Sequence, residues 1–130
     1  MTALLTPMVF LNTSSLAKPN KNAELTPATK EDIFLYRGIG GTYFCNARAA
    51  GVEFPKAVGI AAATYAQVLN GRHGGFVASA GKKKLTDKQL FNGAEFQVIT
   101  AAMQFCEQHV PKDVKKKVEK TIKKNNKKKR

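Results

Sequence analysis

Few residues in this chain could do chemistry. There are two histidines, His73 and His109, and two cysteines, Cys45 and Cys106. A metallo-hydrolase needs three or four closely spaced ligands around an open position, and neither a His-x-His nor a His-Glu-x-x-His spacing occurs. The sequence therefore points to no metal site and no cofactor. Gly38-Ile39-Gly40-Gly41 begins like a phosphate-cradling loop, but Tyr43 stands where the dinucleotide fingerprint needs its third glycine, and no strand precedes it. Close packing of helices explains those glycines better. A Cys-His nucleophile pair would need a free, activated thiolate. Glu31, Asp32 and Glu53 are the candidates for paired carboxylates, and helix capping accounts for the first two. No catalytic constellation emerges. What remains is a possible small-anion site around Arg37, Arg72, His73 and Gly74-Gly75, set against a reading of His73 as a solvated loop histidine and of His109 as a surface residue at a helix C-terminus.

The other chemical candidate is electrostatic. Of the formal +13, residues 111–130 carry eleven Lys and Arg against Asp113 and Glu119, an excess of +9, and residues 1–110 carry eleven against seven, an excess of +4. Lys115, Lys116, Lys117, Lys123, Lys124, Lys127, Lys128, Lys129 and Arg130 would attract nucleic-acid phosphates, anionic headgroups or an acidic protein face. The arm has no aromatic residue to stack on bases and a single arginine for bidentate contacts, so specific nucleic-acid recognition is poorly supported. Either it binds polyanions without sequence preference or it only keeps the chain in solution.

These residues need a scaffold, and a chain of 130 residues with an apolar fraction of 43% has material for one modest core. No apolar run approaches the ~20 residues of a membrane span. Residues 1–17 have the outline of a secretory leader: an apolar run from Ala3 to Leu11, then small residues at Ser15 and Ala17. Pro7 and the lack of a basic residue before the run count against it. Cleavage after Ala17 would leave Lys18 as the first mature residue and place the protein in the periplasm or thylakoid lumen. In that case the two cysteines are most simply one disulfide. In the cytoplasm both would instead be buried thiols on apolar helix faces.

Residues 18–28 read as a flexible lead-in and 29–110 as a helical domain. Thr29 with Asp32, and Thr86 with Gln89, have the spacing of capping boxes. Between and after them lie three apolar stripes at helical period. The first runs through Ile33, Tyr36, Gly40, Tyr43, Phe44 and Ala47 to a stop at Gly51. The second, opened by Pro55, takes Val58, Ala61, Ala62, Tyr65, Val68 and Leu69 to Asn70-Gly71, and its small residues are expected to face Gly40 and Gly41. The third, Phe91, Ala94, Val98, Ala101, Ala102 and Phe105, is expected to run to about His109. Residues 72–85 read as loop with one short turn. Residues 111–130 read as a Lys-rich helix and tail, with Val114, Val118 and Ile122 on one narrow face. The expected fold is thus all-α: a small bundle of three main helices plus a basic C-terminal helix.

Tyr36 through Arg48, Phe54 through Tyr65, His73-Gly74-Gly75 and the region from Leu85 through Cys106 resemble a group of small exported cyanobacterial proteins of unknown function, over about residues 34–114. Some members of that group carry a class-II cAMP phosphodiesterase label, which the histidine inventory does not favour. A second likeness is to HdeA-type periplasmic acid-stress chaperones, which join short helices by one cysteine pair and end in a Lys-rich helix. The matching feature is Cys106 followed by Val114-Lys115-Lys116-Lys117-Val118. This resemblance implies Phe34, Phe44, Phe91 and Phe96 as a client-binding surface. The function expected overall is that of a small exported non-enzymatic protein that binds an unknown protein or polyanion. A chaperone-like role, polyanion binding through the tail, and a hydrolase acting on a phosphorylated small molecule are the alternatives.

Overall fold

The computed structural model describes residues 25–129; the leader, most of the lead-in and Arg130 lie outside them. Four α-helices follow in order: α1 (Lys30–Ala49), α2 (Phe54–His73), α3 (Asp87–Phe105) and α4 (Lys112–Lys128). Short 3-10 turns at Ala78–Ala80 and Glu107–His109 join α2 to α3 and α3 to α4. No strand occurs among the described residues, only one isolated bridge between Ala28 and Val77.

Both capping boxes form. Thr29 Oγ1 accepts from the Asp32 backbone N–H at 3.1 Å while the Asp32 carboxylate accepts from the Thr29 N–H at 2.9 Å, and Thr86 and Gln89 repeat the arrangement. Each satisfies two backbone donors that a helix start leaves orphaned. Helix α1 gives way to a turn in which Gly51 takes φ +87°, and α2 ends where Gly74 takes φ +62°, a left-handed value that favours glycine. Because that stop is Gly74 and not Asn70-Gly71, α2 runs one turn further than expected and includes His73. The shift removes His73 from a loop.

Helix α3 packs against both α1 and α2. The shared core contains Phe44 from α1, Ala57, Val58, Ala61, Ala62, Tyr65 and Leu69 from α2, and Leu90, Ala94, Val98, Ile99 and Ala102 from α3. The close approach of Gly41 is to α3, not to the alanines of α2: a Cβ built on Gly41 would lie 2.5 Å from the Ala101 Cβ. One on Gly40 would meet Val98 at 3.0 Å and Tyr65 at 3.6 Å. Gly59 of α2 has no neighbour within 4 Å of such an atom and takes no part in close packing.

Helix α3 stops at Phe105 instead of running to His109, because Cys106 leaves helical geometry at φ −152°, ψ 57°. There its sulfur lies 2.02 Å from that of Cys45, the separation of a disulfide. Arg48 braces the same corner, its Nε donating to the His109 carbonyl at 3.3 Å and its Nη1 to the Val52 carbonyl at 2.8 Å.

The end of the lead-in is held in place. Ala28 is fully buried, donates to the Phe76 carbonyl at 2.9 Å and accepts from the Ala78 N–H at 3.0 Å. Helix α4 docks by its start alone. Val118 is buried and Val114 packs on the core, whereas Ile122 is exposed.

Candidate functional site

The unpaired feature of this bundle is the outer side of α1. Its inner residues, Ile33, Tyr36, Gly40, Gly41 and Phe44, face α2 and α3. At about 100° per residue, the positions that must then point away are those near 34, 35, 39 and 43. In most surface helices these would be polar. Here they are Phe34, Leu35, Ile39 and Tyr43, exposed by 74%, 56%, 60% and 47%. Gly38 and Thr42 lie between them and complete a shallow apolar groove along the helix. No charged residue occurs in α1 between Arg37 and Arg48.

Beside this ridge, between α1 and α2, is an apolar hole of about 180 Å³. Tyr36, Gly40, Tyr43, Ala61, Tyr65 and Val68 are among the residues that line it. Two of the lining hydroxyls are already engaged: Tyr65 donates to the Ile33 carbonyl at 3.2 Å, and Tyr36 Oη lies 2.8 Å from His73 Nε2. Burial of the Tyr65 phenol disfavours its ionised form and pushes its pKa up to about 12. The hole therefore presents ring faces and methyl groups, the lining expected of a socket for an apolar side chain.

His73 packs against Tyr36, one of the residues that line the hole. It is 3% exposed, with Nδ1 2.8 Å from the Thr26 carbonyl. Nδ1 and Nε2 are thus both within hydrogen-bond distance of a protein partner, the Thr26 carbonyl and the Tyr36 hydroxyl, so both nitrogens are used. That corrects the picture of a solvated loop histidine and leaves no ring nitrogen for an anion. Asp32, at the start of α1, has its carboxyl held below the ordinary value, chiefly by the Thr29 backbone N–H it accepts from.

Arg37 turns the other way, onto α3. Its Nε donates to Thr100 Oγ1 at 3.4 Å and its Nη2 to the Gln104 side-chain oxygen at 3.0 Å. Arg72 is exposed. Arg37 and His73 thus have different neighbours and do not converge on one ligand. His109 lies beside the C-terminal end of α1 and His73 beside its N-terminal end, on the order of 18 Å apart along the helix. No group of three His, Cys, Asp or Glu among the described residues could hold a metal ion.

The lysines are spread along α4. Lys115 pairs with Glu107 at 3.0 Å, while Lys116, Lys117, Lys123, Lys124, Lys127, Lys128 and Lys129 are exposed. The four phenylalanines expected to form a client surface separate: Phe34 is on the ridge, Phe44 is fully buried edge-on to Phe54, and Phe91 and Phe96 pack on the core. Leu35 and Ile39, which the helical stripe left out, take their place. Their signal was present, since a helix that reads apolar on both sides has one side more than a three-helix core can cover.

Residues 31–129 match a family described as a domain of unknown function, DUF8650, and the chain belongs to that family. The match attaches neither a cyanobacterial origin nor the acid-stress chaperones to it. No curated protein and no solved structure matches the chain. No described helix is long and apolar enough to cross a membrane.

Proposed function

We propose that the protein is a non-enzymatic binding protein that works outside the cytoplasm and engages its partner through the outer ridge of α1 and the hole beside it. The observation that carries this reading is the run of exposed apolar side chains from Phe34 to Tyr43 with no charge among residues 38–47. Contiguous apolar surface of this kind costs solubility and persists in proteins mainly where something covers it. A disulfide joining Cys45 and Cys106 would persist in an oxidising compartment, which is the setting this reading assumes. A photo-crosslinking residue placed at Phe34 and activated in the producing cell should give a covalent adduct of defined mass, lost when Ile39→Ser is added. Absence of any adduct above the level given by a crosslinker at the exposed Asn92 would dispose of the ridge.

A second reading rests on α4. After Glu119 the helix carries Lys120, Lys123, Lys124, Lys127 and Lys128 without an acid, on a part whose Ile122 stays uncovered. Non-specific polyanion binding by Coulomb attraction follows. Deleting residues 123–130 should leave the thermal midpoint nearly unchanged and abolish retention on heparin; equal retention would remove this role.

A further inference from the structure

We infer that α4 lays the side carrying most of its lysines on the surface of an anionic lipid bilayer. The inference rests on the second reading above, polyanion attachment through α4, and names the polyanion. Val114 and Val118 turn toward the bundle, and they fix the direction from which the other positions on the helix are counted. At about 100° per residue, the seven lysines from Lys116 to Lys128 fall within one arc of roughly 140°, on the side turned away from those two valines. Asp113, in the first turn, is the one acid in that arc, and Glu119 lies outside it. All seven lysines are exposed, and among the described residues none of them makes an ion pair; the pair on α4 is Lys115 with Glu107.

Nothing within the chain offsets the cost of that arrangement. After Val118 every described residue of α4 is exposed, so nearly three turns of helix project past the core. Lysines three or four residues apart, such as Lys120 with Lys123 and Lys124, repel one another and weaken an isolated helix. An anionic partner removes that repulsion. The arc has no arginine for bidentate contacts and no aromatic ring to stack on bases, the two devices that grip a nucleic acid at fixed geometry. Lysine ammonium groups are point charges on flexible stems, and headgroups that diffuse in a bilayer can meet each of them wherever it stands. A flat surface can approach the arc from the side opposite the core, and a cluster of about four to eight lysines on one helix is what an anionic leaflet attracts. The uncharged strip of α4 is too narrow to enter hydrocarbon: beyond Val118 its apolar residue is Ile122, on the far side from the arc. The contact is therefore adsorption on headgroups, without insertion.

Flotation of the full chain with vesicles tests this. At low salt it should rise with vesicles of one part phosphatidylglycerol to two of phosphatidylcholine, and stay behind with phosphatidylcholine alone. Each lysine at an anionic leaflet is worth about a fivefold change in partitioning, so Lys120→Gln, Lys123→Gln and Lys124→Gln combined should lower it about 100-fold. Lys82→Gln, Lys83→Gln and Lys84→Gln together remove the same charge from the exposed loop between α2 and α3, and should lower it less than about fivefold. Ile122→Ser should leave it within about twofold, because an adsorbed helix inserts nothing. All seven positions are exposed, so the thermal midpoint of each variant should match the parent. Equal losses in the two triple variants would trace the attraction to net charge and overturn the inference, and so would loss of flotation on Ile122→Ser alone. The polyanion reading fails separately. A chain retained on heparin but absent from the vesicle fraction keeps that reading and removes the lipid. So does a chain that binds a mixed-sequence DNA duplex more tightly than the vesicles at the same salt. A chain that binds neither heparin nor vesicles removes both.

Discussion

At the scale of single residues, the glycines of the bundle divide by what surrounds them. Gly41 has a neighbouring methyl at 2.5 Å from where its own would stand, and Phe105 ring atoms at 3.3 Å. Gly41→Ala must push α1 away from α3, and overpacking of that kind costs ~1–3 kcal/mol. Gly59→Ala meets nothing and gains helix propensity, a stabilisation of ~0.5–1 kcal/mol. Urea denaturation of the two variants should give shifts of opposite sign; a stabilised Gly41→Ala would refute the close packing. Tyr65 supplies a second residue-level expectation. In the folded protein its phenol keeps its proton to about pH 12, while in the unfolded chain it ionises near 10.0. The unfolded state therefore releases its proton first, and the contribution is whole below pH 10 and declines as pH rises toward 12. Tyr65→Phe should flatten that decline in chemical denaturation from pH 9 to 12. An unchanged slope would mean the ring is not buried as described.

At the scale of elements, much of the helical layout was legible because its signals are local. Thr29 with Asp32 and Thr86 with Gln89 place helix starts within four residues of sequence, and Pro55 and Gly51 mark their ends of the α1–α2 turn in the same way. What escaped depends on distant partners. His73 is buried by Tyr36, which lies 37 residues away, and by the Thr26 carbonyl, 47 away, and neither contact leaves a mark in the sequence around His73. The end of α3 at Phe105 depends on Cys106 meeting Cys45 across a separation of 61 residues. The outer ridge was hidden differently: one apolar stripe sufficed to call α1 a helix, and Leu35 and Ile39 fell outside it. The cysteine pair also ties α1 to the turn after α3, where the chain would otherwise be held by Arg48. Closing a loop of that length should stabilise by ~4 kcal/mol in the chain-entropy model, a large share of the few kcal/mol that hold a small domain. Reduction with a phosphine should lower the free energy of unfolding by about that amount. An unchanged denaturation midpoint after verified reduction would show that core packing alone holds the α1–α3 corner.

At the scale of the whole molecule, the two candidate surfaces respond to salt differently. The chain carries +13, with nine of the excess charges in residues 111–130. The ridge contributes almost no charge of its own, so contact through it rests on apolar burial. Salt shortens the reach of charges, from about 30 Å at 0.01 M to about 10 Å at 0.1 M, and leaves apolar burial intact. Crosslinking through Phe34 should therefore hold as sodium chloride rises from 0.02 to 0.5 M. Attachment to a polyanion through α4 should weaken over the same range, because the gain there is release of counterions from the polymer. Measuring crosslink yield from Phe34 and heparin affinity across that series gives the response of each. A crosslink yield that collapses with salt would place the contact on charged residues and away from Phe34, Ile39 and Tyr43. Heparin binding that survives 0.5 M salt would mean the lysines of α4 make more than Coulombic contacts.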